Sequence, residues 1–199
     1  MEPLVTDALE ALEGAGWSVE YTAKPRALPP SVSSRHPQLP PLAIDFFTNV
    51  ASCVDPDDGS WFLAADDFAR TEPFRWDEFE RMVAENDSGH EEEARTFWDG
   101  YLPIFQIVSE DYQYLALGTD PASSHFGKVL WGDVVDYDNP LVIAGSYEDF
   151  LGRVRDIARR DPRAMTDSDQ TIARLIHTDL DWLRESWGSR LKRWFSPGG

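Results

Sequence analysis

The residues of this chain best able to do chemistry are its acids and histidines, and their spacing decides what chemistry is open. "HEEEAR", His90 to Arg95, begins like a zinc-protease helix. Such a helix needs a second imidazole one turn further along the same face, and that position holds Ala94. His36, His125 and His177 are scattered, and the single Cys53 offers no cysteine pair to complete a zinc set. "DPDDG" (Asp55 to Gly59) and "DYDN" (Asp136 to Asn139) are oxygen-rich, but neither extends to a calcium loop closed by a terminal Glu, so both read as acidic turns. "AGSYED" lacks the Gly-x-Ser-x-Gly elbow that exposes a nucleophile, and Ser146 reads instead as a helix cap. No glycine-rich loop ends in Lys-Ser or Lys-Thr, and Lys128 is the only basic residue from 101 to 150, so no phosphate cradle is visible. Carboxylates are too numerous for spacing to single out a glycosidase pair. No catalytic residue, metal or cofactor is assigned, and the chain is read as a binding protein rather than an enzyme.

The carboxylates still carry information through their distribution. The net charge is −18, and residues 51–150 hold 23 acidic side chains against 5 basic ones. The two flanks together hold 13 of each and cancel. A surface of that sign repels the phosphates of nucleic acid and attracts a basic protein, so a protein partner is expected and nucleic acid is not. Acidic surface also serves solubility alone. No apolar run approaches the roughly 20 residues that a membrane-spanning helix needs. The N-terminal "MEPLVTDALEALEGAG" is acidic where a secretory leader would be basic, and one lone cysteine suits a reducing compartment, so a cytoplasmic location without membrane contact is expected. At 199 residues the chain can bury a sizeable core in one domain.

The elements that must position these residues follow from periodicity. Leu4, Val5, Ala8, Leu9 and Leu12 fall at helical intervals and stop at Gly14 and Gly16. Trp17, Val19 and Tyr21 alternate as a strand does. "KPRALPPSVSSRHPQLPP" holds six of the 14 prolines and reads as an extended connector along the surface. Pro40 and Pro41 then open a helix with Leu42, Ile44, Phe46, Phe47 and Val50 on its apolar side. After the turn at 54–60, Trp61 to Ala64 reads as a short strand. "TEPFRWDEFERMVAEN" reads as a capped helix, and "SGHEEEARTFWDG" as a short exposed one. "LPIFQIVSEDYQYLALG", Leu102 to Gly118, reads as a hairpin with an acidic turn at Ser109–Asp111. Strands are expected around 129–131 and 141–144, then a helix capped by Ser146 with Phe150, Leu151, Val154 and Ile157 inward. A last helix is expected over 167–195, carrying Ile172, Leu175, Ile176, Leu183, Trp187, Leu191 and Trp194. It is read as packing on the domain, with self-association and then membrane contact as the alternatives.

Three of these stretches, in order, resemble a family. "LPPLAIDFFTNV" (Leu39 to Val50), the hairpin "LPIFQIVSEDYQYLALG", and "GKVLWGDVVDYDNPLVIAGSYEDFL" are similar to the opening helix, central hairpin and closing strand-loop-helix of the SUKH superfamily, the SMI/KNR-type immunity and cell-wall-regulator domain proteins. The likeness covers about residues 28–160, with 161–199 as a C-terminal helical extension of a single 1–199 domain. The turn "SEDYQ" departs from the pattern in having no glycine, and Phe74 to Gly100 departs as a long acidic insertion. The resemblance implies an α+β fold in which helices wrap a central antiparallel sheet, with an N-terminal helix and a long C-terminal helix. It also implies a non-catalytic immunity protein that binds and neutralises a toxin domain, frequently a basic nuclease. An intracellular regulatory or scaffold adaptor on the same fold is the alternative. Either a monomer or a weak homodimer is expected.

If the hairpin turn and the loop before Pro140 emerge at one end of the sheet, they bring together Glu110, Asp111, Tyr112, Tyr114, Trp131, Asp133, Asp136, Tyr137 and Asp138. Carboxylates would steer a basic partner there and aromatics would supply rigid contact area. The competing reading is a solvated loop whose aromatics belong to the core. A second acidic surface, around Glu91, Glu92 and Glu93, is the other place such a partner could meet.

Overall fold

The computed structural model describes residues 1–56, 59–69, 88–108, 112–133, 137–159 and 166–176. Among them are seven helices and one seven-stranded sheet. The helices are α1 (Pro3–Gly14), α2 (Pro30–Ser33), α3 (Pro41–Asn49), α4 (Ala65–Ala69), α5 (Ser88–Gly100), α6 (Tyr147–Ala158) and α7 (Asp167–Ile176). The strands are β1 (Ser18–Tyr21), β2 (Val50–Val54), β3 (Ser60–Phe62), β4 (Tyr101–Ile107), β5 (Gln113–Gly118), β6 (Val129–Asp133) and β7 (Leu141–Ala144). They pair in sequence order, each antiparallel to the next. This is the expected α+β architecture with a central antiparallel sheet. The first 21 residues are part of it, because β1 pairs with β2 and α1 packs into the main core.

α1 shows how the chain turns into that core. Val5, Ala8, Leu9, Ala11 and Leu12 are buried at helical spacing. The helix closes with Trp17 N–H donating to Leu12 O and Gly16 N–H to Glu13 O, and Gly16 sits at φ 99°, the left-handed position that such a cap requires. The cap points Trp17 inward, where its indole donates to Ile176 O at 2.9 Å and its ring lies 5.5 Å from Phe62. Phe62 is the centre of an aromatic group: Phe105 meets it edge-on at 4.8 Å, and Phe46 and Phe150 approach at 5.8 and 6.2 Å. One face of the sheet is thus closed by α1, α3, α6 and α7 over Cys53, Phe62, Phe105, Leu115, Leu117 and Val129.

Several expectations need correction. Val50 is not the last apolar residue of α3 but the first of β2, a strand that periodicity did not reveal. Val50, Ala51 and Cys53 are all buried between neighbours, so no apolar–polar alternation marks them. Ile44 faces solvent, and Ala43 takes its place against the core. The proline-rich connector includes the short helix α2, which buries Val32. α5 is not simply exposed: Ala94 and Trp98 are buried, and Trp98 meets Tyr114 edge-on at 5.0 Å on the opposite face of the sheet. The helix expected at 71–86, and Leu183, Trp187, Leu191 and Trp194 of the last helix, lie outside the described residues.

α6 and α7 are locked together through their caps. Ser146 Oγ accepts from Asp149 N–H at 3.0 Å, as expected, and Asp149 Oδ2 accepts from Gly145 N–H. Thr166 and Asp169 repeat the arrangement at the start of α7. Arg153 joins the two, donating to Asp149 Oδ1 and to Asp169 Oδ1 at 2.9 Å each. Burial by itself would raise the Asp169 carboxyl, but hydrogen bonds from Thr166 and the Arg153 charge outweigh it and hold the group below its ordinary value. A carboxylate so lowered adds stability above its unfolded value of about 3.9 and loses it as pH falls below that. Arg153→Gln should therefore lower unfolding stability by about 1.5–3 kcal/mol at pH 7, with the deficit shrinking as pH falls through the carboxylate range. Urea denaturation of both chains at pH 7 and near pH 3 checks this, and equal midpoints at pH 7 would dismiss the linkage.

Candidate functional site

Sequential antiparallel pairing places alternate connections at alternate ends of the sheet. Val54 pairs with Trp61, Ser60 with Ile107, Ile107 with Gln113, and Gln113 with Asp133. The β2–β3 turn, the β4–β5 hairpin and the β6–β7 loop therefore leave the same end, as the sequence reading required. Glu110, Asp111 and Asp136 lie outside the described residues, as do Asp57 and Asp58.

The described acids at this end do different things. Asp55 is buried, accepting from Gly59 N–H at 2.8 Å and Ser60 Oγ at 2.7 Å, so it builds the turn. Asp133 is half-buried at the end of β6, and Asp138 is exposed. Among the aromatics, Tyr112 is exposed, whereas Trp131 is half-buried against the main core with its indole donating to Gln113 Oε1 at 3.1 Å. Tyr114 has no accessible surface and cannot touch a partner in this conformation, which corrects its assignment. Its hydroxyl donates to Tyr137 O at 2.5 Å and its ring crosses Gly132. Tyr114 supports the β6–β7 loop from beneath; the competing core reading holds for this residue.

Tyr137 connects the two acidic surfaces that the sequence left as alternatives. Its ring lies edge-on to Phe97 of α5 at 5.4 Å, and Phe97 stacks on Tyr101 at 4.5 Å. Desolvation, together with the charges of Asp138 and Glu93, raises its phenol above the ordinary value. Glu92 and Glu93 are exposed on α5 and Asp138 on the loop, so acids of both elements act on Tyr137. Sequence reasoning missed this link. The available signal was the buried i, i+4 pair Ala94 and Trp98, which fixes the face of α5 that meets the sheet.

Chemistry elsewhere is sparse. Cys53 is fully buried, and desolvation pushes its thiol far above the ordinary range, away from the reactive thiolate. Tyr101 Oη and His125 Nδ1 lie 2.7 Å apart at the opposite end of the sheet. Among the described residues no group of three or more His, Cys, Asp or Glu side chains is placed to hold a metal ion, and no helix is long and apolar enough to cross a membrane. Comparisons with family models, with curated proteins and with solved structures gave no match.

Two outcomes test this description. A Cβ on Gly132 would lie 2.4 Å from Tyr114 Oη and 2.5 Å from its Cζ, so Gly132→Ala must displace the ring and release the loop. A loss of about 1–3 kcal/mol in thermal or urea unfolding is expected, and an unchanged midpoint would show that the ring can move freely. At the opposite end His36 is buried with Nδ1 2.8 Å from Thr119 Oγ1, and desolvation followed by the Arg35 charge lowers it from 6.5 to about 4. Between those values the unfolded chain takes up a proton that the folded one refuses. Stability from neutral His36 is complete above pH 6.5 and declines by about 1.4 kcal/mol per unit as pH falls toward the folded value. His36→Gln should flatten the dependence between pH 6.5 and 4.5; a slope identical to that of the parent chain would exclude His36 as its source.

Proposed function

We propose that this chain is a non-catalytic immunity protein that binds and neutralises a basic toxin domain, in the cytoplasm. The observation that supports this most is the gathering of acidic connections at one end of the sheet, with acids of the β6–β7 loop and of α5 both acting on Tyr137. A toxin that cleaves nucleic acid must be basic to hold phosphates. A blocker of opposite sign reaches such a surface faster than diffusion without steering allows, and covers the groups that the phosphates need. Exposed Tyr112 and half-buried Tyr137 supply aromatic contact area beside the carboxylates. The resemblance to the SUKH superfamily supports the same role, and Trp131, Asp133 and Asp138 complete the proposed contact surface with Glu110, Asp111 and Asp136.

Co-expression with a toxic domain encoded beside this chain tests the proposal, with restored growth as the expected result. Continued killing, with both proteins present and soluble, would reject it for that toxin and favour the adaptor role. For a neutralised toxin, Asp133→Asn, Asp136→Asn and Asp138→Asn together should slow association by about ten-fold at low salt. The deficit should narrow near physiological salt, where charges are screened over about 8 Å. Stopped-flow mixing at two ionic strengths measures both. An association rate indifferent to the three substitutions at low salt would move the interface onto Glu91, Glu92 and Glu93.

A further inference from the structure

β7 is an outer strand of the sheet, paired with β6 on one side only. Among the described residues, no backbone group outside β6 hydrogen-bonds to it. Edge strands are normally protected by charged side chains, bulges, proline or a covering element. This one follows Pro140 and shifts register against β6 between Val142 and Ala144, yet it presents Leu141 and Val142, 59% and 42% exposed, with no charge from Asn139 to Tyr147. Leu141 and Val142 are consecutive, so they project to opposite faces of the strand. Exposed carboxylates flank the uncharged stretch at both ends, Asp138 before it and Glu148 after it, while Asp149 is already paired with Arg153.

That pattern discriminates between occupants. A second copy laid antiparallel along β7 would bring Asp138 of each chain toward Glu148 of the other. A parallel copy would set each acid against its own counterpart. Both arrangements place like charges together in a chain whose net charge is already −18. An extended segment with apolar residues in the middle and Lys or Arg on both sides satisfies the backbone, the two apolar side chains and the flanking acids together. We propose that β7 receives such a segment, contributed as an added strand by a basic protein partner. The inference rests on the neutralising role proposed above and names the part of the toxin that would be held. Backbone pairing would supply the affinity and the flanking acids the selectivity.

The test is a displayed library of random twelve-residue peptides panned on the full chain and, in parallel, on Leu141→Lys/Val142→Lys. Both positions are exposed, so the substitutions leave the core intact, and Leu141→Thr/Val142→Thr serves as an uncharged control with strand-favouring side chains. The expected winners carry one or two central apolar residues flanked on both sides by Lys or Arg. Their synthetic versions should bind the parent chain, protect the amides of 141–144 from hydrogen exchange, and lose at least about ten-fold in affinity on the double-lysine chain. The threonine chain should lose less. No enrichment, enrichment equal on parent and lysine chains, or protection confined to other residues would overturn the proposal. So would a dimer of the parent chain that the lysines dissociate. Because the panning uses peptides and no toxin, failure of the edge and failure of neutralisation are read separately.

Discussion

Each strand of this sheet pairs antiparallel with the strand before it, and that constraint decides where everything else sits. Successive connections must alternate between the two ends. The ones that contain helices, 22–49 and 63–100, leave one end together with the 119–128 loop, while short acidic connections leave the other. Helices need length to cross a sheet face, so the end they depart from is crowded with backbone. The hairpin end receives the chain from α1 and holds shorter connections, of which the β2–β3 turn buries Asp55 and the β6–β7 loop leaves Asp138 exposed. The acidic end is thus a consequence of strand order combined with where the sequence puts its acids.

Strand order alone would leave two apolar faces, and they are closed by different means. The larger is covered by four helices around Phe62, whose neighbours Trp17, Phe46, Phe105 and Phe150 come from separate elements. Losing that ring would cost about 3–5 kcal/mol because five segments share the cavity it would leave. The smaller face is closed by α5 through Trp98, Tyr114 and Ala116. Here a missing side chain matters as much as a present one. Gly132 lets the Tyr114 ring lie flat across β6 and reach the Tyr137 carbonyl, so that one hydrogen bond couples the sheet to the loop. A similar omission occurs at Gly118, where a Cβ would fall 2.1 Å from His125 O and prevent the 119–128 loop from closing on the sheet.

How much of this was legible depended on whether a residue's role is local. Ser146 and its acid three positions on define a cap without reference to anything distant, and α6 formed where they said it would. The strands β4 to β7 alternate or are bounded by turn residues, and they too were readable. β2 was not, because burial on both faces removes alternation and because Val50 falls at helical spacing from Phe46 and Phe47 and so reads as part of α3. Tyr114 was placed in the right strand but on the wrong side of function. Its neighbours in the chain are ordinary, and only Gly132 and Trp98, 18 and 16 residues away, reveal that its space lies inside. The union of the α5 acids with the β6–β7 loop was illegible for the same reason: it is a meeting of Phe97 with Tyr137, forty residues apart.

The separation of charge along the chain also explains how so acidic a protein remains compact. The flank that follows β7 contributes Arg153, which is spent on Asp149 and Asp169, and Arg155, which binds its neighbour Asp156. These pairs close the helical layer where α6 meets α7, and two of the acids they neutralise sit at helix starts, where the peptide dipoles also favour them. Acids of the hairpin end have a different surrounding: Tyr137 lies near Asp138 and Glu93, and their charges add to desolvation in disfavouring a negative charge on its phenol. Repulsion of that kind destabilises a folded chain by a modest amount, which the two apolar cores must offset. The same field extends into solvent for about a Debye length, roughly 8 Å at physiological salt. The acids paired with Arg153 thus lie at the helix starts, whereas the exposed Asp138 and Glu93 lie beside Tyr137 instead.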